Sequence, residues 1–324
     1  MMHRSGGWLC GRIHVPGPEG IDTRALNELS DCTLNIPMPD AKRKQKPQLS
    51  IIGTGRLGTA LGVALLHSGY SISSLVARHA QKARQAAGLL DGKPQVLAAK
   101  QLSSLHRADV FLITVPDDQI ASVAVELSGL KFDATALHTS GALSADVLAP
   151  LQKCGWHTGS VHPLISVSDS NSELAGAFWS VEGDRTALRL GKQIVRDLDG
   201  QSFSIRSEDK PLYHAAAVMA SGNVVALFDV ALEMLMHCGL SRKQARDVLT
   251  PLIASTVRSL EAKDPAHALT GTFSRGDVET VKRHVAALKK SGLPDALNLY
   301  RLLGQRSLKV TGKHPQITEI LKSV

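Results

Sequence analysis

Two histidines stand where predicted strands end, His138 before Thr139-Ser140-Gly141 and His162 before Pro163. An imidazole can act as a general acid toward a carbonyl or imine that is being reduced. Each histidine can equally serve as a hydrogen-bond partner of a loop backbone. We therefore treat His138 and His162 as alternative candidates for a catalytic proton donor.

Three short polar side chains, Ser140, Ser221 and Asn223, complete the predicted catalytic set. Hydroxyl and amide groups of this kind can orient a substrate carbonyl or carboxylate. Ser221 precedes Gly222, and two small residues also suit close helix packing. Asn223 lies in an apolar segment and needs a hydrogen-bonding partner, which can be substrate, cofactor or another helix.

The cysteines and histidines show no metal-ligand spacing. Cys10, Cys32, Cys154 and Cys238 are scattered, and neither a carboxylate nor a cysteine completes a site with the two histidines. The sequence therefore predicts neither a metal site nor a disulfide framework, and a reducing cytoplasm is the expected compartment.

A glycine-rich turn follows the apolar segment Leu49–Ile52. Gly53, Gly55 and Gly58 match G-x-G-x-x-G, in which the first glycine permits a tight turn and the second lets a pyrophosphate approach the backbone. The third lets the following helix pack closely on the sheet, and the first amides of that helix attract phosphate. The predicted cofactor-binding residues are Gly53, Thr54, Gly55, Arg56, Leu57 and Gly58, together with Val115 and Pro116 after a later strand.

The end of the second predicted strand indicates which dinucleotide binds. An NAD site usually places Asp or Glu there to hold the ribose 2′-hydroxyl, but this chain has Ala77-Arg78-His79. Arg78 can lie against an adenosine 2′-phosphate. The sequence therefore favours NADP(H), although Arg78 could also be a solvated residue at a helix start.

Alternating apolar strands and helices position these residues from Leu49 onward, which predicts an α/β fold with a doubly wound, mostly parallel Rossmann sheet. After Ser207 the pattern is helical only, beginning with one long helix to about Cys238. We predict a flexible extension over residues 1–48, an NADP-binding domain over 49–206 and a helical substrate and dimerisation domain over 207–324.

The composition limits the classes of partner that the chain is expected to bind. The 324 residues are 43% hydrophobic and 20% charged, and no apolar run approaches a transmembrane span. Residues 215–228 are predicted to form a buried helix, and their apolar face predicts a homodimer. The net charge of +8 is concentrated in the C-terminal third, but only twelve aromatic residues accompany it, so nucleic-acid binding is not expected. The expected partners are an anionic small molecule and a second copy of the chain.

The order of several motifs resembles a bacterial family that combines a Rossmann-like domain with a domain of unknown function, often labelled an NADP-dependent oxidoreductase. The motifs are the glycine turn, Thr114-Val115-Pro116-Asp117, the His138 and His162 segments, Tyr213-His214-Ala215-Ala216-Ala217, and Leu269-Thr270-Gly271 through Arg275-Gly276-Asp277. The resemblance covers about Leu49 to Val310. Its wider relatives are pyrroline-5-carboxylate reductase, prephenate dehydrogenase and the 6-phosphogluconate and β-hydroxyacid dehydrogenases.

One departure from those relatives limits the chemistry. The β-hydroxyacid enzymes carry a catalytic lysine shortly before an asparagine on the long helix, whereas Val218–Asn223 contains none and Lys210 lies earlier. The leading hypothesis is an NADP(H)-dependent oxidoreductase acting on a small carboxylate-bearing ketone or imine. The alternative hypothesis is an NADP-binding sensor or scaffold without turnover.

Overall fold

The computed structural model describes residues 46–323, apart from residues 91, 170–171 and 313. The predicted extension at residues 1–48 therefore lies, up to residue 45, outside the described part of the chain. Eight strands, β1 to β8, span Gln48–Ile52, Ser71–Ala77, Gln95–Ala98, Val110–Ile113, Thr135–His138, His157–Leu164, Phe178–Gly183 and Gln201–Phe203.

The strands form one sheet in the order β3-β2-β1-β4-β5-β6-β7-β8. All neighbours are parallel except β6 and β7, which pair antiparallel. The predicted doubly wound, mostly parallel α/β sheet is confirmed. Its chain order reverses on the two sides of β1, and in such sheets ligands bind beyond the carboxyl ends of the strands at this point.

Helices cover both faces of the sheet, which explains why the central strand β4 is a continuous apolar run. The helices among the strands, α1 to α5, span Arg56–His67, Ala80–Ala87, Asp117–Ser128, Ala149–Lys153 and Arg185–Asp197. The core on one face includes Leu49, Leu65 and Val195, and the core on the other includes Phe111, Leu127 and Trp156. Two packed layers therefore fix the strand ends where the candidate residues lie.

Only helices follow β8 in the described residues. They are α6 to α13, at Lys210–Ala220, Gly222–His237, Arg242–Ala262, Pro265–Ala268, Thr272–Arg275, Val278–Ser291, Pro294–Thr311 and Pro315–Lys322. A small core that includes Val281, Leu308 and Ile317 joins three of them. The predicted helical C-terminal region is confirmed, while α9, α10 and α13 were not predicted.

The segment predicted as one buried helix differs from that expectation in two ways. It breaks at Ser221, whose φ of −126° and ψ of −82° separate α6 from α7. It is also solvent-facing, since no residue between 215 and 228 is buried. The prediction of burial is wrong because the core of the helical region forms around the later helices and leaves this segment uncovered.

By length and composition alone, Ser207–His237 would be able to cross a membrane, contrary to our expectation that no segment approaches such a span. Its most apolar window has a mean hydropathy of 1.8 and is 6% buried. Glu208, Asp209 and Lys210 begin this segment, and Asp229 and Glu233 lie within it.

Candidate functional site

The glycine turn joins β1 to α1 and packs tightly against the end of β4. Gly53 has φ of +110°, and a Cβ there would lie 2.6 Å from the carbonyl carbon of Thr114. The Thr114 hydroxyl donates a hydrogen bond to the Gly53 carbonyl. A Cβ on Gly58 would collide with that same carbonyl oxygen. Both positions therefore require glycine, as the spacing predicted.

Gly55 differs because it borders open space. A Cβ built on Gly55 meets no atom within 4 Å, and the buried hydroxyl of the adjacent Thr54 has no hydrogen-bond partner. No side chain caps the N-terminus of α1, and its first turn contains no acidic residue. Unsatisfied donors beside open space at a helix N-terminus fit a phosphate-bearing ligand.

The other predicted cofactor residues lie along the same edge. Arg78 is exposed directly after β2, and the first turn of α2 contains no acidic residue. Half-buried Val115 and exposed Pro116 follow β4. Because β2, β1 and β4 are neighbours in the sheet, these residues flank the glycine turn on both sides. Arg56 is exposed and its guanidinium lies 3.4 Å from the Ser168 carbonyl, while Leu57 is half-buried.

His138 is fully buried at the end of β5, and both ring nitrogens contact the backbone. Nδ1 accepts the Ser140 amide at 3.2 Å, so Nε2 carries the proton and donates to the Ser144 carbonyl at 3.1 Å. Burial and the positive charge of Lys210 lower the His138 pKa to about 3. This geometry holds the loop after β5 and leaves the ring no nitrogen for a substrate.

Ser140 also shapes that loop. Its hydroxyl donates to Asp117 Oδ2 at 2.8 Å and accepts the amides of Ala142 and Leu143 at 3.2 and 3.0 Å. With these three contacts the hydroxyl is satisfied within the protein. Since Asp117 begins α3, Ser140 ties the end of β5 to the helix that follows β4.

His162 lies at the edge of a cavity of about 610 Å³ between the end of β6 and helix α6. Its Nδ1 is 2.7 Å from the Tyr213 hydroxyl, and its ring meets that of His214 edge-on at 5.7 Å. The cavity is lined by His162, Pro163, Leu164, Ile165, Ser166, Tyr213, His214, Ala216, Ala217, Val218, Ala220, Ser221 and Gly222.

Burial sets the protonation of this pair at neutral pH. The His162 pKa falls to about 4, because the ring is buried and because His214 and Lys210 add positive charge nearby. Burial raises the Tyr213 pKa to about 12. A neutral imidazole and a neutral phenol therefore share a hydrogen bond at the wall of the cavity.

The structure brings two of the five predicted catalytic residues, His162 and Ser221, to this cavity. His138 and Ser140 lie behind its wall, and the exposed Asn223 amide contacts the Met219 sulfur at 3.0 Å instead of lining the cavity. The roles predicted for all five remain predictions. Tyr213, which the sequence offered only as part of the motif Tyr213-His214-Ala215-Ala216-Ala217, supplies the polar group nearest His162.

Lys210 is the residue that sequence reasoning missed. It is fully buried, and its ammonium contacts Ser160, the Ser140 carbonyl and Glu182. Its neighbour Glu208 is exposed and Asp209 is half-buried, as at an ordinary helix start. The one available signal was its position three residues before Tyr213, on the same helical face.

Two observations concern other ligand types. Over the described ranges, no group of three or more His, Cys, Asp and Glu side chains is arranged to hold a metal ion. Cys154 and Cys238 are free and exposed.

Comparisons with known proteins agree with this architecture. Residues 36–163 match a Rossmann-like domain, and residues 177–307 match the domain of unknown function DUF2520. No curated protein sequence matches the chain significantly.

Solved structures resemble most of the chain. The protein TM1727 from Thermotoga maritima is 27% identical with a TM-score of 0.65, covering 82% of this chain and 98% of its own. A proposed NADP oxidoreductase, BF3122 from Bacteroides fragilis, is 22% identical with a TM-score of 0.68, covering 83% and 99%.

The NADP-bound pyrroline carboxylate reductase from Plasmodium falciparum is 13% identical with a TM-score of 0.52, covering 82% of this chain and 99% of its own. At these identities the second and third proteins show a shared fold. The resemblance found in the sequence is confirmed: the chain carries a Rossmann-like domain followed by a DUF2520 domain.

Proposed function

We propose that the chain is an NADP(H)-dependent oxidoreductase that transfers hydride between the nicotinamide and a small ketone or imine. The observation that carries this proposal is the His162–Tyr213 pair, which faces a cavity at the same sheet edge as the glycine turn. The dinucleotide-binding fold of this chain and of its structural neighbours supports a nicotinamide cofactor.

Contacts run along the sheet edge from the glycine turn to the cavity. Thr114 holds Gly53, and Asp117 at the start of α3 accepts a hydrogen bond from Ser140. Gly141, the next residue, lies against the His162 ring. A dinucleotide whose pyrophosphate lies on the amides after Gly53 would extend along this edge.

The fit of the cofactor rests on the chain's own groups. The open space at Gly55, the unpartnered Thr54 hydroxyl and the uncapped start of α1 suit the pyrophosphate, and exposed Arg78 suits a 2′-phosphate. When bound, the reduced cofactor supplies hydride. The preference for NADP(H) over NAD(H) is part of this proposal and depends on Arg78.

We assign the proton transfer to the Tyr213–His162 pair. The phenol is protonated near neutral pH even at its ordinary pKa, and burial raises that pKa further. The imidazole remains neutral because burial lowers its pKa. With Nδ1 protonated, His162 would donate to the Tyr213 oxygen and leave the phenol proton free to reach the cavity. A substrate oxygen or nitrogen that gains negative charge there would receive that proton.

The cavity lining bears on substrate choice. Small apolar side chains, including Ala216, Ala217 and Ala220, leave room for a compact substrate, and no Lys or Arg is among the lining residues. Apart from the His162–Tyr213 pair, the lining groups able to hydrogen-bond a carboxylate are the hydroxyls of Ser166 and Ser221 and the His214 ring. The expected carboxylate is therefore tested by comparing each keto acid with its ester.

A second copy of the chain is the proposed partner. The apolar faces of α6, α7 and α8 are exposed, with Val225 70% and Leu252 62% accessible. Exposed apolar patches of this kind mark protein or membrane contacts. A homodimer through these helices, in the cytoplasm, is the arrangement we propose.

The first experiment is a calorimetric titration of NADPH and NADH into the wild type and Arg78→Ala. We expect NADPH to bind more tightly and the preference to collapse in the variant. Arg107→Ala is a matched control, since Arg107 is equally exposed but precedes β4, at the opposite edge of the sheet. If neither nucleotide binds, the proposal is wrong.

Turnover is then tested by NADPH oxidation with a panel of cyclic imines, keto acids and keto esters. We expect activity that falls in Tyr213→Phe and in His162→Asn while NADPH affinity is kept. Tight NADPH binding without turnover on any substrate would instead favour the sensor or scaffold.

A further inference from the structure

Lys210 is the first residue of α6, and its side chain has no solvent exposure. The ammonium donates to Ser160 Oγ at 2.5 Å and to the Ser140 carbonyl at 3.2 Å. Burying an ammonium costs several kcal/mol, and a buried ion pair often adds little net stability compared with apolar side chains. We therefore attribute to the buried Lys210 a role in fixing the positions of the groups that it contacts, rather than in stabilising the fold.

Glu182 on β7 compensates the buried charge. Its Oε1 lies 3.6 Å from the Lys210 ammonium and accepts the Ala145 amide at 2.6 Å. Its Oε2 accepts the Ser207 hydroxyl at 2.7 Å. The carboxylate is thus held from three sides, and Lys210 has a fixed counter-ion.

Two pairs of side chains, side by side, connect α6 with β6. Lys210 and Tyr213 are three residues apart, so they share one face of the first turns of α6. Ser160 and His162 are two residues apart, so they share one face of β6. Lys210 bonds Ser160, and Tyr213 bonds His162 at 2.7 Å.

Lys210 also contacts the loop after β5, which packs against the His162 ring. It donates to the Ser140 carbonyl, and the next residue, Gly141, packs against His162 and His214. The Lys210 ammonium thus contacts the strand that carries His162 and the loop after β5. The backbone of Lys210 belongs to α6, the helix that carries Tyr213.

We propose that Lys210 is a positioning residue, whose buried contacts with Ser160 and the Ser140 carbonyl set the geometry of the His162–Tyr213 pair. It lies behind the cavity wall and is not one of the lining residues. The expected effect of Lys210 on turnover rests on the proposed function, whereas its expected effect on the His162 ring does not.

The charge of Lys210 adds a measurable consequence. The groups that face His162 are Tyr213, His214 and Lys210 on α6 and His138 on β5. Burial is the largest cause of the low His162 pKa, and the charges of His214 and Lys210 lower it further. Removing the ammonium should therefore raise the His162 pKa.

The test is an NMR titration of the His162 ring, without cofactor or substrate. The resonance is assigned by its loss in His162→Asn. The main variant is the double substitution Lys210→Met with Glu182→Gln, which leaves no unpaired buried charge and can fold even if Lys210→Met alone cannot. Ser207→Ala is the matched control, because it removes one contact of Glu182 while Lys210 stays in place.

We expect the His162 pKa to rise by up to about half a pH unit in the double variant. The charge of Lys210 lowers that pKa in the wild type, and the loss of the Glu182 carboxylate offsets part of the rise. The control should lose stability without moving that pKa. If an enzymatic substrate is found, kcat should fall by about 10-fold or more in the double variant with little change in KM.

The inference is overturned if the double variant is destabilised while His162 titrates as in the wild type, because Lys210 is then structural only. This readout needs neither NADPH binding nor turnover. A failure of the proposed function would therefore leave the Lys210 result intact, and the reverse also holds.

Discussion

Replacing Gly141 with alanine tests the candidate site most directly, because it disturbs the two histidine rings and leaves the glycine turn alone. Gly141 is buried at the end of the Ser140 loop. A Cβ there would lie 2.6 Å from His214 Cδ2 and 2.8 Å from both Cε1 and Nε2 of His162. Carbon atoms in contact prefer about 3.5–4.0 Å, so the rings must move by about 1 Å.

The size of the effect follows from that displacement. Overpacking of this kind costs about 1–3 kcal/mol of unfolding free energy. Moving His162 away from Tyr213 by 1 Å would lengthen their 2.7 Å contact beyond hydrogen-bond distance. A misplacement of 1 Å at a reacting group can reduce turnover by about 10²-fold. NADPH affinity should change little, because Gly141 follows β5 whereas the glycine turn follows β1, two strands away in the sheet.

The assays are urea unfolding, NADPH titration and turnover on the best substrate from the panel. Gly88→Ala is the control, since Gly88 has an ordinary φ of −67° and the nearest atom to its Cβ would be 3.5 Å away. Full turnover in Gly141→Ala, at wild-type stability, would refute the assignment of His162 and Tyr213. Equal losses of turnover and NADPH affinity would show that the cavity and the cofactor site are not separable.

Two further predictions concern assembly and acid stability. We expect a dimeric mass for the wild type by light scattering at micromolar concentration and a monomeric mass for Val225→Glu. Val125→Glu, whose site on α3 is also exposed, is the control and should remain dimeric. A monomeric wild type would contradict the proposed interface. Burial keeps the folded-state pKa of His138 near 3, whereas the unfolded-state value is about 6.5. The unfolded state therefore binds more protons as the pH falls from 7 to 5, and the free energy of unfolding should decrease by about 2 kcal/mol over that range. Urea unfolding at the two pH values should show a smaller loss for His138→Gln, and an unchanged loss would show that His138 is not the group responsible.

Local signals in the sequence were sufficient for most of the fold. The apolar segment Leu49–Ile52 lies within β1, and the chain is helical after β8, both as predicted. The glycine turn was recognisable because the spacing of its three glycines is itself a local pattern, even though Gly53 packs against Thr114, 61 residues away. Signals of this kind depend on neighbours in sequence, so they can be read without knowing the tertiary structure.

The difference between the two histidines could not be predicted in this way. Both were predicted to end a strand, and both are followed by small or turn-forming residues. His138 is satisfied by Ser144, six residues on, whereas His162 meets Tyr213, 51 residues away. Only the packing of α6 on the sheet edge separates a loop-holding ring from one that faces a cavity.

The same packing decides the role of the lysine. The expected resemblance to β-hydroxyacid dehydrogenases directed attention to a lysine within the long helix. The chain instead has Lys210 at the start of α6, with its ammonium buried in the protein. A lysine held by Glu182, Ser160 and a carbonyl has no free proton-transfer path to the cavity that it supports. In the proposed reaction, proton transfer therefore falls to neutral groups, the phenol of Tyr213 and the imidazole of His162. Burial keeps the imidazole neutral by lowering its pKa, and the charges of His214 and Lys210 add to that effect.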